Sequence, residues 1–297
     1  MPTQSSSHAP TKAFKQTGTA RAIAGAEFGS LSPSADAAVD AGGSLPVGDP
    51  DFMNSLARGL QVIRVFSEHR RQLTMAQVSQ ATGLSRAVAG RCLHTLASLG
   101  YVGVDGRRYF LRPQVLSLGH AYLVSTPLTA RAQPVLDRAN AQLHESCSMS
   151  MLDGEEIVYV GRSAETRIMS ITLMVGSRLP AYCTAMGQVL LAALDEAALD
   201  DFLATARLVA RTSRTTTSQD RLRRRLDVVR RAGFALLDQE LEAGVRSIAV
   251  PILDSAGKVV AALNASGHAT RVETRTMREV FLPVLHDAAI ELRESTG

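Results

Sequence analysis

Positive charge is concentrated in one stretch of this chain, between Ser55 and Arg112. Nine arginines and two acidic residues give that stretch a net charge of +7, whereas all 297 residues together carry +4. The nine are Arg58, Arg64, Arg70, Arg71, Arg86, Arg91, Arg107, Arg108 and Arg112. A local excess of this kind is typical of a surface that binds nucleic acid phosphates. A solvated basic face on a protein-binding module is the alternative that remains open.

The residues best placed to read DNA lie on one predicted helix and the hairpin after it. Ala87, Gly90, Arg91 and His94 follow helical spacing, so they share one face. Arg86 and Arg91 are expected at base edges or nearby phosphates, and Arg107 and Arg108 at phosphates or in the minor groove. The predicted DNA-binding residues are Thr74, Ser85, Arg86, Ala87, Gly90, Arg91, His94, Arg107 and Arg108.

Gly90 has two interpretations, because a glycine inside a helix costs about 1 kcal/mol relative to alanine. It either permits close approach to DNA or is merely tolerated.

Capping residues and turn residues position this surface. Apolar residues at helical spacing predict a first helix over 54–68. The run Thr74-Met75-Ala76-Gln77 is a capping-box pattern that begins a second helix, and Gly83 ends it. Ser85 can cap a third helix over 85–98, with Val88, Cys92, Leu96 and Leu99 available to face inward.

Two short strands follow around the Asp105-Gly106 turn signal. Three helices and a hairpin in this order predict a winged helix-turn-helix over residues 51–113.

The rest of the chain divides into a polar tail, two connecting helices and a mixed domain. Residues 1–50 are rich in small and polar residues and are predicted to be a disordered tail. Residues 114–145 contain two linker helices, over 116–125 and 128–144. Residues 146–297 mix strands and helices, which predicts an α+β sheet domain. Its strands are predicted over 147–152, 157–161, 167–175, 234–238, 247–253 and 259–266, and its helices over 184–194, 196–205, 220–232 and 272–294.

Several other functional classes are disfavoured by the sequence. The three cysteines, Cys92, Cys147 and Cys183, are far apart, which argues against disulfides and a structural zinc site and fits the cytoplasm. No apolar run approaches the roughly 20 residues that cross a bilayer. No familiar catalytic or nucleotide-binding motif is present, so no enzyme, metal or cofactor is predicted. A second arginine cluster, over 221–231, lies on an amphipathic pattern and is predicted to be a solvated helix face.

Several motifs, in order, resemble the IclR family of bacterial transcriptional regulators. They include Leu99-Gly100-Tyr101-Val102, Leu179-Pro180-Ala181-Tyr182-Cys183-Thr184-Ala185-Met186-Gly187 and Gly244-Val245-Arg246-Ser247-Ile248-Ala249-Val250-Pro251. The run from Tyr182 to Gly187 is most similar to the branch that includes PcaR, PcaU and PobR, which controls aromatic-acid breakdown through the β-ketoadipate pathway. The resemblance implies a winged helix-turn-helix followed by a GAF-like α/β effector-binding domain. It also implies homodimers or homotetramers on palindromic double-stranded operators, with RNA polymerase as a further candidate partner. Gly90 and Val88 depart from the usual residues of the family at their positions.

The resemblance also implies an effector pocket for a small aromatic or dicarboxylic acid. The predicted lining residues are Ile168, Ile171, Leu179, Tyr182, Ala185, Met186, Leu237, Val245, Ser247, Asn264 and Ser266. Asn264 and Ser266 are two apart on an apolar strand and so face the same side, where either a ligand or backbone must satisfy them.

Three further groups near this pocket could recognise the acid. Backbone amides from Thr184 to Gly187 could favour an anion, and Tyr182 could stack on an aromatic ring. Arg246 could pair with the acid, or with Asp238 or Glu240 in a structural role.

Overall fold

The computed structural model describes residues 51–67, 69–165 and 173–293. The predicted disordered tail lies outside the described residues. So do the predicted pocket residues Ile168 and Ile171 and most of the strand predicted over 167–175.

The first described part is the predicted winged helix-turn-helix. Its helices are α1 (Asn54–Arg64), α2 (Met75–Thr82) and α3 (Arg86–Ser98). Its strands are β1 (Leu73–Thr74), β2 (Val102–Asp105) and β3 (Arg108–Leu111), which form an antiparallel sheet in the order β1-β3-β2. Strand β1 was not predicted, because two residues before a helix carry no periodic signal of their own.

Local capping explains where α2 and α3 begin. The Thr74 hydroxyl accepts a hydrogen bond from the Gln77 amide at 3.3 Å, and the Gln77 side-chain oxygen accepts from the Thr74 amide at 2.8 Å. This reciprocal pair is the predicted capping box. Gly83 adopts a left-handed φ of 69° after α2, and the Ser85 hydroxyl caps α3.

The inward face of α3 differs from the prediction. Leu96 is buried, as predicted, but its buried companions are Ala89 and Leu93, whereas Leu99 is 61% exposed. The predicted Val88 and Cys92 are only half-buried. The sequence has two sets of apolar residues at helical spacing on α3, one that contains Val88 and Cys92 and one that contains Ala89 and Leu93. Packing therefore selected a face rotated by one residue, about 100° around the helix axis.

Two helices follow the wing, as predicted. They are α4 (Leu116–Ser125), which begins after a turn at Pro113–Val115, and α5 (Pro127–Leu143). None of the helices within the described ranges combines the length and apolar character needed to cross a bilayer.

The larger domain is built on one antiparallel sheet of six strands. These are β4 (Ser146–Asp153), β5 (Glu156–Ser163), β6 (Arg178–Pro180), β7 (Ala235–Asp238), β8 (Val245–Leu253) and β9 (Val259–His268). Their order is β6-β5-β4-β9-β8-β7, so the two long hairpins meet at the β4–β9 pair in the centre. The short edge strand β6 was missed by the prediction.

Helices cover both faces of this sheet. One face packs against α5 and the C-terminal helix, which runs as Thr274–Thr276, a π-helical turn at Met277–Phe281, and Leu282–Arg293. The other face packs against α6 (Ala185–Ala192), α7 (Glu196–Thr205) and α8 (Gln219–Ala232). This layering is the predicted α/β arrangement, and it creates two cores on opposite sides of the strands.

Candidate DNA-binding surface and effector site

The predicted recognition residues share one exposed surface on α3. Arg86, Ala87, Arg91 and His94 are all exposed, and together with Gly90 they line a shallow groove of about 520 Å³. Among the described residues, neither Arg86 nor Arg91 makes an ion pair, so their charge is available to a ligand.

The structure gives Gly90 a packing role. A Cβ atom at this position would lie 3.0 Å from the Met75 sulfur of α2, which is tighter than ordinary contact. Packing against the flexible Met75 side chain is therefore a third interpretation of Gly90, beyond the two that the sequence suggested.

Thr74 and Ser85 contribute first to helix capping. The Thr74 hydroxyl is engaged by Gln77, and the Ser85 hydroxyl accepts from the Val88 amide at 3.4 Å. Both lie at the start of a helix, where a DNA phosphate could still approach the free backbone amides.

The wing presents two further exposed arginines. Asp105 and Arg108 are opposite each other in the strand register of the hairpin, so Gly106 and Arg107 form the connecting loop. Gly106 has a φ of 56°, the left-handed conformation that this tight loop requires. Arg107 and Arg108 are exposed and make no ion pair with a described carboxylate, so they add free positive charge to the winged helix.

The second arginine cluster lies on the outer face of an amphipathic helix, as predicted, and three of its six arginines make ion pairs with described carboxylates. Leu222, Leu226 and Val229 bury one side of α8. On its other side, Arg223 pairs with Glu196 and Asp200, Arg225 with Glu240, and Arg230 with Glu196.

Polar side chains form two rows on the face of the large sheet that α6 covers. In one row Ser148 lies between Arg162 of β5 and Asn264 of β9, directly opposite both. In the other row Ser266 lies between Ser146 and Ser247. Asn264 and Ser266 therefore do face the same side, as the sequence indicated.

Asn264 is a buried residue of this face whose hydrogen-bonding groups are only partly satisfied by the described residues. It is 5% exposed, and its amide nitrogen donates to the Ser247 hydroxyl at 2.9 Å. The Ser247 hydroxyl in turn donates to the carbonyl of Ala265 at 3.4 Å. The Asn264 side-chain oxygen has no hydrogen-bond partner among the described residues, so an acceptor is left open on this face.

The predicted apolar lining residues lie around these rows. Met186 is buried, and its sulfur accepts from the Ser150 hydroxyl at 3.2 Å. The other members are placed on α6 or on strands β6, β7 and β8 of the sheet; they are Leu179, Ala185, Leu237 and Val245.

Two predicted recognition groups have structural partners instead. The Tyr182 hydroxyl donates to the Val209 carbonyl at 2.6 Å, in the packed core beneath α6. The Gly187 amide donates to the Thr184 hydroxyl at 3.2 Å, which caps α6 within the chain. The start of α6 is therefore a poorer anion site than the sequence suggested.

Arg246 pairs with Asp238 in a structural role, which was one of the alternatives to pairing with the acid. Its guanidinium bonds Asp238 at 2.8 and 2.9 Å and also donates to the carbonyls of Ala269 and Val272. The Arg246 contact helps to hold the pKa of the Asp238 carboxyl below its usual value despite desolvation.

Arg162 was missed by sequence reasoning. It lies just past the end of the strand predicted over 157–161 and belongs to no motif, and only the strand register shows that it lies in line with Ser148 and Asn264. One guanidinium nitrogen, Nη1, donates to the Ser148 hydroxyl at 2.9 Å, whereas the buried Nε has no hydrogen-bond partner in the part of the chain that the structure describes.

The buried cysteines are poor candidates for nucleophiles. Burial raises the pKa of Cys147 to about 12 and that of Cys183 to about 12, so both thiols stay protonated at neutral pH. The described residues contain no cluster of three or more potential metal ligands.

Comparisons with known proteins match both the winged helix-turn-helix and the larger domain. A family model for the IclR helix-turn-helix domain matches residues 55–106, and one for the C-terminal part of bacterial IclR transcriptional regulators matches residues 120–293. The chain is 54% identical to the Pca regulon regulatory protein of Pseudomonas putida, over 82% of this chain and 84% of that protein.

Two solved structures resemble the chain in fold and sequence. A protein from Rhodococcus sp. RHA1, described as a transcriptional regulator, has a TM-score of 0.75 at 43% identity and covers 82% of this chain and 98% of its own. The inducer-binding domain of an Acinetobacter PobR double mutant, bound to 3-hydroxybenzoic acid, has a TM-score of 0.53 at 35% identity. That match covers 55% of this chain and 95% of the domain.

Proposed function

Because the chain belongs to the IclR family of bacterial transcriptional regulators, we propose that it controls genes for the breakdown of aromatic compounds through the β-ketoadipate pathway. In this proposal the winged helix binds a palindromic operator, and the larger domain binds a small aromatic or dicarboxylic acid. The observation that carries the DNA-binding role is the exposed face of α3, whose Arg86 and Arg91 lack ion-pair partners among the described residues.

The binding mode proposed for DNA follows from the shape of this surface. Helix α3 enters the major groove with its amino-terminal end leading, so that Arg86 and Arg91 reach base edges or the adjacent phosphates. Arg107 and Arg108 of the wing then contact the backbone or the minor groove beside it.

The larger domain supplies the response to a metabolite. Buried polar rows beneath α6 include an open acceptor at Asn264, and such groups favour a ligand with polar substituents on an apolar body. The 3-hydroxybenzoic acid complex of the PobR domain supports an acid of this size. A regulator of another carbon-source pathway would use the same parts with a different acid.

A homodimer or homotetramer is the proposed assembly. Apolar residues are exposed on two helices, Leu56 and Leu60 on α1, and Leu116 and Val124 on α4. A second copy of the chain would cover such surfaces and would supply the second winged helix that a palindrome needs. RNA polymerase is the further partner proposed, since a bound regulator alters transcription by contacting or obstructing it.

The function is tested by selecting duplexes from a random pool with the full-length chain and sequencing those retained. We expect an inverted repeat with half-sites about one helical turn apart. Adding the cognate acid should change the affinity for that repeat in a mobility-shift titration. A chain that retains no duplex would instead support the alternative of a protein-interaction module.

A further inference from the structure

An arginine beneath α6 carries a charge that no side chain of the described residues neutralises. Arg162 lies near the end of β5, and no ion pair joins it to a described carboxylate. Desolvation lowers the pKa of its guanidinium, which means that burial disfavours its charge. Arg162 is half-buried, and a charged group held partly out of water without a counter-ion is costly, so it is expected to meet an anion in the functional state.

The hydrogen-bonding geometry of Arg162 shows which part of it is free. Nη1 donates to the fully buried Ser148 hydroxyl at 2.9 Å, and this bond fixes the plane of the guanidinium. Nε, on the opposite edge, is buried, and no group within residues 51–67, 69–165 and 173–293 accepts a hydrogen bond from it. The edge formed by Nε and Nη2 presents two parallel N–H groups, the arrangement that binds both oxygens of a carboxylate.

Arg162 and Asn264 lie at opposite ends of one row of polar side chains and would contact different ends of a ligand. Ser148 lies directly opposite Arg162 on one side and Asn264 on the other, so Arg162 and Asn264 are two strands apart, about 10 Å between their backbones. The open side-chain oxygen of Asn264 repels a carboxylate and accepts a hydroxyl or another donor. The two ends of this row are therefore complementary to different groups.

We propose that Arg162 is the residue that recognises the effector's carboxylate, that Ser148 positions its guanidinium, and that Asn264 faces the uncharged end of the ligand. This inference rests on the proposed function, since it assigns a binding role within the effector domain. It adds Arg162 and Ser148 to the predicted pocket and makes Arg162 a determinant of specificity for acids over neutral analogues.

The test measures binding to the full-length chain by calorimetry, with 4-hydroxybenzoate and protocatechuate as probes that carry one carboxylate each. β-Ketoadipate, whose second carboxylate the Asn264 oxygen would repel, is titrated as the dicarboxylic member of the proposed effector class. For each acid that binds, the matched neutral amide is titrated as well. We expect Arg162→Gln to weaken binding of the acid at least tenfold and to remove the preference for acid over amide. Arg162→Lys should restore part of the affinity, because it returns the charge without the second N–H of the fork.

The control is Arg178→Gln, since Arg178 is a partly exposed arginine of the same sheet whose partners, Asp153 and Glu156, lie within the chain. It should bind the acid as the unsubstituted chain does. Acid binding by Arg162→Gln at full strength, or equal binding of acid and amide by the unsubstituted chain, would overturn the inference and leave the proposed function standing. If no acid binds the unsubstituted chain, the proposed effector class and this inference both fail. Comparing the affinities of acid and amide for the unsubstituted chain needs no variant, so it tests the inference even if Arg162→Gln does not fold.

Discussion

Two helical glycines of this chain have opposite surroundings. A Cβ at Gly187 would lie 2.1 Å from the Ala181 carbonyl oxygen, because α6 packs directly on the turn that precedes it. A Cβ at Gly119 of α4 would meet nothing within 4 Å. The same substitution should therefore have opposite effects at the two positions.

We predict that Gly187→Ala destabilises the chain by about 1–3 kcal/mol or more, since backbone must move to admit the methyl group. Gly119→Ala should be neutral or stabilise by up to about 1 kcal/mol, because alanine is the better helix former. Urea unfolding of both variants checks this. Equal stability of the two would show that α6 does not pack as described.

Arg91 carries the residue-scale prediction for DNA. Arg91→Ala should weaken operator binding on the order of tenfold, because a base-edge or phosphate contact is lost from the centre of the α3 surface. Arg221→Ala is the control, since Arg221 is exposed on α8, away from the winged helix. Mobility-shift titrations of both variants test the assignment, and a loss shared equally by the two would refute it.

Burial of two thiols gives a prediction for alkaline pH. The pKa of Cys147 and that of Cys183 are each raised from 9.0 to about 12 in the folded chain, chiefly by desolvation. Below about pH 9 both thiols are protonated in the folded and in the unfolded chain, so their contribution to the free energy of unfolding is fully present there. As the pH rises from 9 toward 12 only the unfolded chain releases it, so the free energy of unfolding should fall.

Denaturant unfolding at pH 8 and pH 10 measures this fall. A variant with Cys147→Ala and Cys183→Ala should show a smaller decrease between the two pH values. An identical decrease in both proteins would mean that the thiols do not contribute.

At the scale of elements, the sequence correctly predicted those helices whose capping and packing depend on residues close together in the chain. Thr74, Gln77 and Gly83 begin and end α2 as predicted because capping is decided within a few residues. The amphipathic pattern of α8 also placed Leu222 and Leu226 in the core.

The elements and site residues that were missed depend on distant partners. Strand β6 has three residues and exists through its pairing with β5. The inner face of α3 was ambiguous between two apolar registers until packing chose Ala89 and Leu93. Arg162 could not be assigned from sequence, because its row is defined by register with Ser148 across a bulged strand pair.

At the scale of the whole molecule, the exposed apolar residues of α1 predict an association of copies. Leu60→Glu should weaken self-association, because a charge would be buried in the proposed interface. Val228→Glu is the control, since Val228 is also exposed but lies on α8. Sedimentation across a concentration series measures this, and an unchanged assembly in Leu60→Glu would place the interface elsewhere.

The central claim is that the winged helix is a cationic surface for duplex DNA. Its most direct test is the salt dependence of binding, measured by fluorescence anisotropy with the full-length chain and a labelled duplex from 50 to 300 mM salt. We predict that the logarithm of affinity falls linearly with the logarithm of salt concentration, with a slope of about 0.9 for each phosphate neutralised. Arg107→Ala should reduce that slope. Binding that is absent at 50 mM salt, or insensitive to salt, would contradict the account.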